Sequence, residues 1–138
     1  MSLSYFCPKC EALLNPNVRV VLIAQYRDKR GLLLMNSQPG NYQVICDRGF
    51  CHKVAKGDAV DFSCPVCQAS LTSESHQNFA ELRVVNNDKD KHKPCLLLFS
   101  RISKEHATFL YDGDSVKEFG EEADLFRDQL AIEGDWGW

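Results

Sequence analysis

Phe6-Cys7-Pro8-Lys9-Cys10-Glu11-Ala12-Leu13-Leu14 and Ser63-Cys64-Pro65-Val66-Cys67-Gln68-Ala69-Ser70-Leu71 are two copies of one pattern, 57 positions apart. Both read Cys-Pro-x-Cys-x-Ala, with a leucine four residues after the second cysteine. An aromatic precedes each pair, Phe6 directly and Phe62 one residue further back. Proline after the first cysteine fixes one φ angle and pre-forms a tight turn. Two cysteines two residues apart can then reach one metal from a single turn, and backbone N–H groups of that turn favour thiolate over thiol. A structural zinc takes four ligands in a tetrahedron, ~2.3 Å from each sulfur. The pattern therefore predicts one structural Zn²⁺ held by Cys7, Cys10, Cys64 and Cys67, with no open position for water.

Other uses of these cysteines fit less well. Iron in a rubredoxin-type site would use the same ligands. A redox dithiol needs a thiolate at a helix N-terminus, usually in a βαβ setting, whereas both pairs here lead toward strands. Seven cysteines without a leader sequence argue against a secreted disulfide framework. Paired Cys-x-x-Cys in such a chain points to metal chemistry in a reducing compartment, so a cytoplasmic location is expected.

The surrounding chain has the period of strands. Val18 to Tyr26, the turn Arg27 to Gly31 and the return Leu32 to Asn36 predict a hairpin. Tyr42 to Cys46, Cys51 to Ala55 and Val60 with Phe62 predict short strands. Beyond the second knuckle, Phe79 to Val85 and Cys95 to Ile102 predict strands on either side of a charged loop, Asn86 to Lys93. His106 to Tyr111 and Val116 to Phe119 predict a second hairpin around Asp112-Gly113-Asp114. Ala123, Phe126 and Leu130 share one helical face, so Glu121 to Leu130 predicts a helix. Met1-Ser2-Leu3 carries no weight here. The expectation is a mainly β chain with a zinc-knuckle part at 1–72, a β-hairpin extension packed on it at 73–130, and a flexible tail at 131–138.

The two knuckles resemble those of the zinc-ribbon and rubredoxin-like group, whose Cys-x-x-Cys turns each meet a β-hairpin. That resemblance implies a zinc-ribbon-like domain, here with enlarged hairpins because 53 residues separate Cys10 from Cys64. Additional antiparallel strands and one short C-terminal helix would complete it. The later half, with Phe99-Ser100-Arg101 and His106-Ala107-Thr108-Phe109, resembles small uncharacterised bacterial proteins, a resemblance that implies no function.

The remaining cysteines and histidines offer a second cluster. Cys46, Cys51 and His52 could be half of another metal site, completed by His76, His92 or Cys95. The expectation is instead two strand cysteines flanking Asp47-Arg48-Gly49-Phe50, with Cys95 in the core, because unpaired cysteine is among the most buried residue types. His92 is expected to be solvated and His106 structural.

Charge and motif content bound the function. The net charge of −3 divides into +3 over residues 1–70 and −6 over residues 71–138. Four thiolates on one Zn²⁺ would lower the first half by two, leaving no strongly basic footprint for nucleic acid. No apolar run approaches the ~18 residues that span a bilayer, so no membrane role is expected. There is no glycine-rich phosphate loop and no nucleophile elbow, and Ser100, Ser103, His106 and Asp112 match no triad spacing. A non-catalytic, zinc-stapled module that binds another protein is the leading expectation. A nucleic-acid-binding ribbon is the alternative, using Arg19, Arg27, Lys29, Arg30 and Arg48 around Tyr26 and Tyr42. A thiol redox switch is the third. Trp136 and Trp138 could dock on another chain, although such a glycine-rich tail is more often disordered.

Overall fold

Alternation in Val20–Tyr26 sends Val20, Leu22, Ala24 and Tyr26 to one face and Val21, Ile23 and Gln25 to the other, as period-two side chains require. The computed structural model describes residues 3–51, 53–88, 94–112 and 115–125. Among these the chain forms nine strands: β1 (Leu3–Phe6), β2 (Val20–Tyr26), β3 (Lys29–Met35), β4 (Val44–Cys46), β5 (Asp61–Ser63), β6 (Phe79–Asn86), β7 (Pro94–Ser100), β8 (Thr108–Tyr111) and β9 (Val116–Phe119). A four-residue helix, α1 (Arg48–Cys51), follows β4, and Ala123–Leu125 makes a 3-10 turn.

The strands divide into two antiparallel sheets, a five-stranded one in the order β1-β6-β7-β8-β9 and a four-stranded one in the order β4-β3-β2-β5. β2 and β3 form the expected hairpin around Arg27 and Asp28, with Val20 opposite Met35 and Tyr26 opposite Lys29. Arg27 takes φ 57°, as a two-residue hairpin turn demands. The inner faces meet in one core: Leu3, Tyr5, Leu82, Val84 and Leu97 from the larger sheet, and Val20, Leu22, Ala24 and Phe62 from the smaller. Phe62 meets Phe99 edge-on, ring centroids 5.3 Å apart.

Around β7 and β8 the larger sheet is buried on both faces. Phe79, Leu98, Phe109 and Tyr111 form a second apolar cluster with Ala107 and Ala123. A strand covered on both sides reads as a continuous apolar run rather than an alternating one, which explains Leu96-Leu97-Leu98-Phe99.

Two expectations need correction. Leu3 opens β1 and is buried, so the start of the chain carries structure. β1 pairs with β6, Leu3 opposite Asn86 and Phe6 opposite Arg83, and so belongs to the sheet built by residues 79–119. The strand expected at Cys51 to Ala55 is absent; Arg48–Cys51 is helical, because Asp47 accepts from the Gly49 amide and its carbonyl from Phe50 and Cys51. A side chain bonding its neighbouring backbone in this way competes with strand pairing. The helix expected over Glu121 to Leu130 begins as the 3-10 turn, and its remainder lies outside the described residues, as do the 131–138 tail and its tryptophans.

Candidate metal centre

The sequence echo becomes a structural echo, bond for bond. In the first knuckle, entered from β1, the Cys7 amide donates to the Ala12 carbonyl at 3.0 Å and the Glu11 amide to the Cys7 carbonyl at 2.9 Å. In the second, entered from β5, the Cys64 amide donates to Ala69 at 3.0 Å and the Gln68 amide to Cys64 at 2.9 Å. Lys9 and Cys10 amides point at the Cys7 sulfur at 3.3 and 3.4 Å; Val66 and Cys67 amides point at the Cys64 sulfur at the same two distances. Glu11 and Gln68 both adopt the left-handed region, φ 64° and 62°. Each knuckle then returns antiparallel to the strand it came from, Leu14 bonding back to Tyr5 and Leu71 to Phe62.

The shared flanks now have a physical role. Leu14 and Leu71 are fully buried and Phe62 nearly so. Phe6 is half-buried on the outward side of β1. The amides of each turn therefore face the sulfurs while the aliphatic ends anchor beneath. Cys7 and Cys64 are buried, and Cys10 and Cys67 form an exposed rim.

Across the knuckles, the Cys7 and Cys67 sulfurs lie 3.8 Å apart and the Cys10 and Cys64 sulfurs 3.7 Å apart. All four sulfurs lie within 4.8 Å of one another. Sulfurs ~2.3 Å from a central tetrahedral ion would be about 3.8 Å from each other, so the donor set and its spacing fit one metal ion. A hydrogen bond from the Ala12 backbone favours the Cys10 thiolate, but desolvation and the neighbouring Cys67, Cys64 and Cys7 thiols outweigh it and push its pKa up to about 12.

The other residues singled out in the sequence are placed differently. Cys46, at the end of β4, and Cys51, at the end of α1, are joined by a disulfide, Cα atoms 6.3 Å apart. They were expected as two separate strand cysteines; the Asp47-anchored turn folds one back on the other, within the usual span of a disulfide. Cys95 is in the core, as expected, and His76 is buried. Among the described residues no second group of three or more metal-ligating side chains forms. His52 and His92 lie outside those residues. His106 stacks on Tyr42, centroids 4.3 Å apart and planes 5° from parallel.

Neither tyrosine weighed for base stacking presents a fully open ring. Tyr26 is buried, its hydroxyl bonded to Asp58, and the Arg27 guanidinium lies over its ring at 5.1 Å. Tyr42 is occupied by His106. No helix among the described residues is long and apolar enough to cross a membrane.

The chain matches no family model, no curated protein and no solved structure. The likeness to zinc ribbons therefore rests on the two knuckles themselves.

Sequence reasoning found all four clustered cysteines. It missed the Cys46–Cys51 link, for which Asp47-Arg48-Gly49 was the available signal: an aspartate two residues before a glycine, poised to cap a turn.

Proposed function

We propose that this protein is a zinc-stapled binding module. Cys7, Cys10, Cys64 and Cys67 hold one structural Zn²⁺, and the β scaffold it clips engages another protein. The observation that carries the metal assignment is the pair of knuckles, identical in hydrogen bonding, that set four sulfurs at tetrahedral spacing. Four thiolates fill the coordination sphere, so the ion stabilises structure and leaves no position for substrate or activated water.

The protein-binding part is supported by the outer face of the smaller sheet. Val21, Leu34 and Ile45 stand in register across β2, β3 and β4, with Ile23 and Leu32 beside them. Leu32 is 58% and Ile45 52% exposed. A contiguous aliphatic face of this kind marks an interaction surface more often than scattered single residues do. Arg30 follows on the same face of β3, opposite Gln25, so the fitting partner presents an apolar segment with an acidic flank.

Two measurements test the reading. Elemental analysis of the purified protein is expected to give one zinc per chain; no metal, iron in its place, or two zincs would contradict it. A protein captured by the wild-type chain should be lost with Leu32→Asp/Ile45→Asp while zinc content holds at one. Salt-dependent affinity for mixed oligonucleotides, unaffected by that double substitution, would favour the nucleic-acid alternative.

A further inference from the structure

Between the two sheets lies a cavity of about 320 Å³, remote in chemistry from the cysteine cluster. Its floor is apolar: Leu33 and Met35 of β3, Phe50 of α1, Phe62 of β5, Leu97 and Phe99 of β7. Protein interiors are packed with few voids larger than a water, and at ≈ 30 Å³ per liquid water this space equals about ten. The cavity opens to solvent, and its size falls within the range of small-molecule sites.

The wall is held open from outside the core. The Tyr5 hydroxyl donates to the Ser37 carbonyl at 2.7 Å, and the Tyr42 hydroxyl bonds the Thr108 hydroxyl at 2.9 Å. Gly40, at φ +91°, lies against Phe119. Gly120, at φ +100°, allows a still closer approach: a Cβ there would fall 2.1 Å from the His106 carbonyl oxygen and 2.6 Å from the Tyr42 hydroxyl. Residues 36–42 are thus pinned to β8 and β9, and cannot drop in to fill the space.

Six ring-bearing side chains line it: Tyr5, Tyr42, Phe50, Phe62, Phe99 and His106. Edge-to-face and offset contacts with such rings favour an aromatic occupant over an alkyl chain. Polar groups line two sides, Asn36 to Tyr42 on one and Ser100 to His106 on the other. Arg101 is already spent, bonding the Val60 carbonyl at 3.0 Å, the Gln77 carbonyl and the Asp61 carboxylate. Glu105 accepts from the Ser100 hydroxyl at 2.8 Å. Lys104, exposed and set at the mouth by a left-handed backbone of φ 67°, and His106 remain to meet a ligand's polar end.

We propose that this cavity is a binding site for a small aromatic carboxylate, its ring between the two sheets and its carboxylate beside Lys104 and His106. The site is separate from the metal centre, so its test uses the zinc-loaded full chain. Naphthoate is titrated against labelled protein and followed by amide NMR shifts, with naphthalenemethanol and decanoate as comparison probes. Saturable naphthoate shifts are expected at β3, β7 and residues 36–42, with decanoate binding more weakly. Val44→Trp at the rim and Met35→Trp in the floor each place a large side chain in the cavity and should each weaken naphthoate roughly tenfold or more, with zinc content and the amide spectrum of β6 unchanged. Lys104→Ala should weaken naphthoate several-fold while leaving naphthalenemethanol as it was. No saturable shift, shifts that survive both blocking substitutions, or tighter binding of decanoate would overturn the site or its aromatic preference. Equal loss of both aromatic probes in Lys104→Ala would overturn its carboxylate end.

Discussion

Cys7 and Cys64 each gather two amides of their own turn and one sulfur of the opposite knuckle, so neither can be replaced without leaving donors unmet. Cys7→Ser or Cys64→Ser is expected to abolish zinc retention and to cost several kcal/mol, because metal binding free energy is part of folding free energy. Elemental analysis with chemical denaturation checks both halves. Cys46→Ala/Cys51→Ala should keep one zinc per chain, since that pair lies outside the cluster; loss of zinc there would mean the wrong cysteines were grouped. Gln68 sits at φ 62°, where an L-residue costs ~1–2 kcal/mol relative to its preferred regions. Gln68→Gly should therefore be neutral or stabilise by less than about 1 kcal/mol, part of the gain being offset by unfolded-state entropy. Gly120→Ala is the opposite case. Its Cβ has no room, and a loss of about 1–3 kcal/mol in thermal denaturation is expected.

At the scale of elements, burial separates strands that tolerate change from those that do not. β6 lies between β1 and β7 and carries Leu82 and Val84 at 0% exposure. Leu82→Ala should cost about 2–5 kcal/mol, from lost transfer free energy plus the cavity left behind. β4 is an edge strand, and Ile45 on its outer side is half-exposed. Ile45→Thr should move stability by less than about 0.5 kcal/mol. Urea denaturation of the two variants gives the comparison, and equal losses would show that the sheets do not enclose the core as described. Strand periodicity made β2, β3, β6 and β7 legible in the chain. It failed at Cys51 to Ala55, where one aspartate side chain redirected the backbone into a helical turn.

For the whole molecule, the position of the metal centre matters more than its chemistry. One knuckle leaves β1, an edge of the five-stranded sheet, and the other leaves β5, an edge of the four-stranded sheet. A single ion there would staple the two layers together, and the loop it would close contains the entire smaller sheet, β2 to β5. Closing a long loop restricts the unfolded chain and so stabilises in the chain-entropy picture. Chelation should therefore lower the melting temperature and raise hydrogen exchange first in β1 and β5, with β6 and β7 protected longest. Acidification should act in the same direction, because thiolate ligands must be deprotonated to hold the ion and are lost to protons as pH falls. Uniform loss of protection on chelation would contradict the staple.

The local chemistry of this protein was set by the sequence alone. Pro8 and Pro65, the spacing of each cysteine pair and the matching flanks specify two equivalent turns, because every bond within a knuckle joins residues at most five apart. The aliphatic, β-branched run of Val20 to Tyr26 likewise specified a strand. What the chain could not state was which strands meet. Periodicity names a strand's buried face but not its partner, so β1 joining β6, the division into two sheets and the double burial of β7 followed only from packing. The Cys46–Cys51 link and the ring-lined cavity belong to the same class. Each depends on where separate segments come to rest, and that is decided by burying one common core.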